Sequence, residues 1–314
     1  MDFIQKGFIG RNKSWMYILT IVLVFLGIQF ASIPLVIAAY FQVDGDMIEF
    51  QKAAESSFMN IGMNSSLFLF LMIFTFMIAL WVLYICIKYI QKKKFISIVT
   101  SREKIDWNRV FYAFALWGII SVIAIFIGMY LSPADYEWNF KPIPFFTLLF
   151  VSFVFLPFQT SSEELIFRGY LMQGFGILAK NRWFPLILTS VIFGLLHGMN
   201  PEVEKLGYVL MVFYIGTGLF YGIATLMDEG TELALGLHAS NNIVAAFLVT
   251  TDWMVFRTDA LYRDISEPSV GAEMYIGVFV LYPLLLLIFS KKYGWNNWKE
   301  KLFGKVEVPV INEE

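Results

Sequence analysis

Eight apolar runs, most of them as long as a bilayer core is thick, leave this chain one economical fold: a bundle of membrane-embedded helices. The runs lie near 15–40, 67–90, 110–131, 144–179, 183–199, 206–227, 232–250 and 274–290. In hydrocarbon every backbone polar group must be satisfied within the protein, which a helix of roughly 20 apolar residues achieves by itself. Hydrophobic residues make up 58% of the 314 and charged residues 15%, against about a quarter charged in soluble domains. The expected fold class is therefore all-α, a polytopic membrane bundle of about eight transmembrane helices. The fourth run is too long to cross once at the usual helical rise. It is expected to tilt or break, with Pro157 as the natural kink. The first run is too long for a signal-peptide core and reads as a retained span.

Charge tests the count of spans. With eight crossings both termini share a face, and assigning every Lys and Arg to its nearer face puts 18 of the 23 there and 5 on the other. The basic face carries Lys88, Lys92, Lys93, Lys94, Arg102 and Lys104, then Lys291, Lys292 and Lys299. The opposite face carries the acidic loops with Asp44, Asp46, Glu49, Asp252, Asp259 and Asp264. The bias of Lys and Arg toward cytoplasmic loops then makes the basic face and both termini cytoplasmic. Residues 1–140 read as a three-span region without candidate chemistry, 141–250 as the helical core, and 251–314 as a last span and cytoplasmic tail solvated from Val306 onward. The whole is one integral membrane domain with no evident internal repeat. Cys86 is the only cysteine, lies in an apolar run and reads as core filler. No basic cluster beside a docking motif suggests nucleic acid.

Ionisable groups inside membrane spans are costly and mark functional sites. Here they gather in three stretches: Ser161 to Gly169, Phe193 to His197, and His238 to Asn242. The two histidines are the only ones in the chain. Glu164 and Arg168 are four apart and share a helix face on which they can pair. Glu163 is turned about 100° from Glu164 by the helical period and is expected to point elsewhere. Counted from the turn at Lys180–Arg182, Glu163 and His197 reach nearly the same depth, where a carboxylate and an imidazole can deprotonate a water. His238 lies nearer its own turn and is expected to sit shallower. Gly194 with Gly198, and Gly218 with Gly222, form GxxxG pairs that let helices approach closely in lipid.

Bland readings exist for each residue. Thr160 with Glu163, and Ser161 with Glu164, match a capping box that would place a helix start here. The histidines can be ordinary interhelical hydrogen-bonding groups, Arg168 a snorkelling side chain, and Asn241 as good a polar contact as Asn242. Neither HExxH nor a Gly-x-Ser-x-Gly elbow is present, which sets aside the usual helical zinc protease and the serine hydrolase.

These three stretches resemble the CAAX-protease and bacteriocin-processing family of intramembrane proteases, which includes the type II CAAX prenyl endopeptidases. Its pattern is Glu-Glu-x-x-x-Arg, Phe-x-x-x-His and His-x-x-x-Asn on successive helices, met here by Glu163, Glu164 and Arg168, by Phe193 and His197, and by His238 and Asn242. The resemblance covers roughly residues 144–250. It implies an endopeptidase in which Glu163 is the general base and His197 its partner in activating water. It further implies that His238 and Asn242 stabilise the oxyanion, while Arg168 orients Glu164. Donors aimed at a developing oxyanion are typically worth about 3–4 kcal/mol each. Zinc held by Glu163, His197 and His238 is the alternative chemistry; a metal-free mechanism is favoured, because Asn242 one turn from His238 suits an oxyanion hole and is a poor zinc ligand. The expected partners are a peptide or membrane-protein substrate and the lipid bilayer, in a prokaryotic plasma membrane. A non-catalytic scaffold or bacteriocin-immunity protein, or an ion-coupled transporter using the same Glu and His as a relay, is the rival reading.

Overall fold

All eight apolar runs are helical in the computed structural model, which describes residues 1–309. The first run divides at Ser32 into α1 (Ser14–Ala31) and α2 (Ile33–Gln42), because Pro34 opens a new helix there. A short α3 (Met47–Glu55) precedes α4 (Ser65–Ile85), and α5 (Trp107–Leu131) is the third crossing. The fourth run is α6 (Pro142–Glu164), a wide turn over Leu165–Leu171 and α7 (Met172–Ala179). Then come α8 (Trp183–Leu196), α9 (Pro201–Leu206), α10 (Met211–Asp228), α11 (Glu232–Phe247), α12 (Ala272–Ile276), α13 (Tyr282–Tyr293) and α14 (Trp298–Phe303). Six of the helical runs are long and apolar enough to cross a membrane, among them Ser14–Gln42, Ser65–Ile90 and Pro142–Ala179. Trp183–Met199 is a shorter apolar helix. The all-α membrane bundle expected from the sequence is therefore the observed architecture.

Two expectations about the fourth run meet a different outcome. It does not break at Pro157, which lies inside a continuous α6. The winding changes later, at Leu165–Leu171, where hydrogen bonds span five residues instead of four. Such wide turns inside α-helices recur at functional sites, and this one begins one residue after Glu164. The capping-box reading also fails, since Thr160 to Glu164 lie at the end of a helix begun at Pro142. The Thr160 hydroxyl instead donates back to Leu156 O, at 3.3 Å.

Tight helix crossings assemble the centre. Gly194, Gly218 and Gly222 sit where α8 meets α10, and a Cβ on each would strike Ile215, Ser190 O or Leu186 within 3.0 Å. Gly198 faces open space and takes no part. A Cβ on Gly236 would lie 2.1 Å from Val110 O, so α11 and α5 meet backbone to backbone. Gly236→Ala is accordingly expected to destabilise by about 1–3 kcal/mol through overpacking. A lowered thermal midpoint in detergent checks this; an unchanged midpoint would mean the crossing is looser than drawn.

The basic face is closed by side chains. Phe3 and Ile4 are fully buried against Met172, Leu186 and Leu226. Gln173 donates to Phe3 O at 2.9 Å and to Ser97 O at 2.7 Å. Arg102 clamps the turn between α10 and α11 by binding Asp228 and Glu232, and Arg109 reaches Asp228 Oδ1 at 2.5 Å. The solvated end begins one residue later than expected: Val306 is 3% exposed and donates to Lys180 O at 3.0 Å, while Glu307 and Val308 are exposed. The rest of that expectation, from residue 310, lies outside the described residues.

On the acidic face three short strands, unexpected from the sequence, tie the loops together. β1 (Tyr136–Trp138) pairs antiparallel with β3 (Tyr262–Asp264), and β2 (Val249–Thr250) pairs parallel with β3 on its other side.

Candidate active site

The polar centre starts from a buried ion pair. Arg168 Nη1 lies 3.1 Å from Glu164 Oε1, with both side chains at 0% exposure, so Arg168 does not snorkel. Its Nη2 donates to Gly218 O at 3.3 Å, and its guanidinium carbon lies 4.2 Å from the Phe193 ring centroid. An unpaired carboxylate would be untenable there; paired and hydrogen-bonded, it becomes a fixed acceptor.

That acceptor holds His238. His238 Nδ1 is 2.8 Å from Glu164 Oε1, and the imidazole packs near Tyr221, with ring centroids 5.4 Å apart. Because the carboxylate accepts, Nδ1 carries a proton and Nε2 is turned the other way. There it meets Glu163 Oε2 at 3.6 Å, beyond hydrogen-bond length. The two adjacent glutamates therefore reach one imidazole from opposite sides. Glu163 does not point elsewhere, and His238 is not too shallow to meet it. The wide turn at Leu165–Leu171 alters the register between this point and the turn at Lys180, from which depth was counted.

A chain of amides leads to Glu163 from the other direction. Trp117 Nε1 donates to Asn241 Oδ1 at 3.2 Å, and Asn241 Nδ2 to Asn242 Oδ1 at 3.1 Å. Asn242 Nδ2 donates to Gln159 Oε1 at 2.9 Å, and Gln159 Nε2 to Glu163 Oε1 at 2.7 Å. An indole N–H only donates and a carboxylate only accepts, so the two ends of the chain orient every amide between them. The chain uses one of the two Asn242 N–H groups. Glu163 Oε2, buried, has no hydrogen-bond partner.

His197 closes the far wall. Its Nδ1 is 2.8 Å from Phe193 O, which makes Nδ1 the donor and leaves Nε2 as the basic nitrogen. The ring stacks on Tyr214 at 4.5 Å and 23°, and also meets Phe193, tilted, at 4.6 Å. The Tyr214 hydroxyl donates to buried Glu202, which also accepts from Asn200 Nδ2 at 3.0 Å and from Val255 N at 3.1 Å. His197 and Glu163 line one cavity of about 400 Å³ with His238, Asn242, Gln159 and Tyr214.

All seven residues singled out in the sequence are thus in or directly behind one cavity. Gln159, Trp117, Tyr214 and Glu202 are additions. Gln159 had a readable signal, one helical turn before Glu163; the others are brought in by tertiary packing. Among the described residues no group of three or more His, Cys, Asp or Glu is gathered as a metal cage. Both histidines place Nδ1 on an oxygen acceptor and leave Nε2 toward the cavity, an arrangement that serves a water, a substrate oxygen or a metal ion alike.

Residues 142–244 match the family described as type II CAAX prenyl endopeptidase Rce1-like. The chain is 30% identical over 168 residues to the uncharacterized protein YyaK of Bacillus subtilis (strain 168). That alignment covers 53% of this chain and 56% of YyaK, so the chain spans about half the length of this relative. No solved structure matches.

Proposed function

We propose, on the likeness of residues 142–244 to the Rce1-like family, that the protein is an intramembrane endopeptidase in which Glu163 and His197 activate water. The observation that carries the reading is Glu163 itself. One carboxylate oxygen is fixed by Gln159, the other has no hydrogen-bond partner, and the residue lines the cavity that His197 also lines. A base of this kind takes a proton from water as the water attacks the peptide carbonyl. His197 Nε2, held in its basic form by the Phe193 carbonyl, shares that proton transfer. The spare N–H of Asn242 and His238 Nε2 stabilise the oxyanion. With Nδ1–H committed to Glu164, His238 donates from Nε2 only as the imidazolium. Arg168 acts through Glu164, which fixes the orientation of His238. No step in this scheme passes through a metal.

The catalytic unit in this reading is 141–250, with 1–140 supplying wall and support and 251–314 the last span. The membrane is a prokaryotic plasma membrane with both termini cytoplasmic, following the 18 to 5 division of Lys and Arg.

The test is cleavage of a membrane-peptide library by the purified protein in detergent, with and without a strong zinc chelator. Cleavage that survives the chelator supports the metal-free reading; loss with the chelator and rescue by added zinc overturns it. Asn242→Ala is expected to lower kcat about 10²–10³-fold with little change in KM, because an oxyanion donor acts mainly in the transition state. A rise in KM alone would place Asn242 in substrate binding.

A further inference from the structure

The cavity is one-sided. Its wall on α4 is Phe68, Leu69, Met72, Ile73 and Phe76, the opening turns of a helix that enters from the acidic face after its Asn64 cap. His197 stands at the end of α8, and Asn200 and Glu202 follow it on the same face. The strap Met254–Thr258, between β2 and β3, completes the rim, with Arg257 bonded across to Asn60. Among the described residues this cavity takes no lining from the loops of the basic face, where a separate open pocket lies between Tyr84 and Phe95. The floor under His238 is Glu164 and Arg168, both at 0% exposure, and below it lie Tyr170, Met172, Gln173, Phe3 and Ile4, each also at 0%.

The division of Lys and Arg puts the open face outside. Only 5 of 23 lie on it, and short loops rich in Lys and Arg stay cytoplasmic. We infer that the cavity opens on the extracytoplasmic face, and that its substrate is a membrane-anchored polypeptide presenting an apolar segment there. This rests on the endopeptidase reading for the word substrate and deepens it: the cytoplasmic end of a lipid-modified protein is on the wrong side. The α4 wall at i, i+1, i+4, i+5 and i+8 is a continuous apolar face, suited to a segment leaving the lipid.

The experiment compares Arg257→Cys with Lys299→Cys, each in a Cys86→Ala chain expressed in bacterial spheroplasts and treated with a membrane-impermeant maleimide. Arg257→Cys is expected to be labelled from outside, and Lys299→Cys only after the membrane is permeabilised. The opposite pattern overturns the inference, and labelling requires no turnover, so it does so independently of the protease reading. A second arm labels purified Met254→Cys in detergent with a bulky maleimide and follows cleavage of the peptide library. Cleavage is expected to fall at least tenfold, whereas labelled Lys299→Cys keeps the unlabelled rate. Unchanged cleavage after Met254→Cys labelling overturns entry past this strap. No cleavage by the wild type at all removes the endopeptidase reading and the substrate class with it, while the spheroplast labelling still decides the opening.

Discussion

Replacing Glu163 by Gln is expected to lower kcat by about 10²–10⁴-fold, the range contributed by a positioned general base. The protein should stay folded. The substitution keeps the shape of the side chain, and its amide oxygen can take the place of Oε1 in accepting from Gln159 Nε2, now at 2.7 Å. The NH2 then occupies the position of the unpartnered Oε2. An amide there can donate a hydrogen bond but cannot take a proton, so binding survives and chemistry does not. Turnover and thermal midpoint measured on the same preparation check both halves. Wild-type turnover would remove Glu163 from the mechanism.

Arg168→Ala is expected to have the largest effect on stability, about 3–5 kcal/mol, because removing one partner of a buried pair strands the other charge. Glu164 has 0% exposure, and with Arg168 gone its remaining polar contact is His238 at 2.8 Å. The guanidinium also fills space over the Phe193 ring and binds Gly218 O, contacts that Arg168→Lys reproduces poorly because Lys lacks the planar fork. Activity should fall with stability, since Glu164 holds His238. A thermal midpoint equal to that of the wild type would show that the pair does not support the fold.

The helices were legible because lipid imposes long apolar runs, and Glu163, Glu164, Arg168, His197 and His238 because charge and imidazole stand out inside such runs; Phe193 and Asn242 stood out only by lying four residues from a histidine. What was illegible depended on winding and on neutral side chains. Nothing in Leu165–Leu171 distinguishes a wide turn from an ordinary one, and Pro157 drew attention to the wrong position. A helix absorbs a proline at modest cost when neighbours pack around it. Trp117 carries no charge and lies on another helix, so its place at the head of the chain of amides emerges only when α5, α6 and α11 are brought together. Glu202 was hidden for a different reason: it lies in a connecting loop by sequence, and only the fold turns it inward against Tyr214. The first 140 residues looked like plain spans, yet α4 supplies the apolar wall of the cavity. The three short strands total too few residues for an alternating pattern to show.

The central claim is that this constellation cuts peptide bonds. The most direct measurement incubates purified wild-type protein and Glu163→Gln side by side, in detergent, with one mixed membrane-peptide library and reads new peptide termini by mass spectrometry. The account predicts new termini with the wild type that are absent with Glu163→Gln. The same termini at the same rate from both proteins would contradict it.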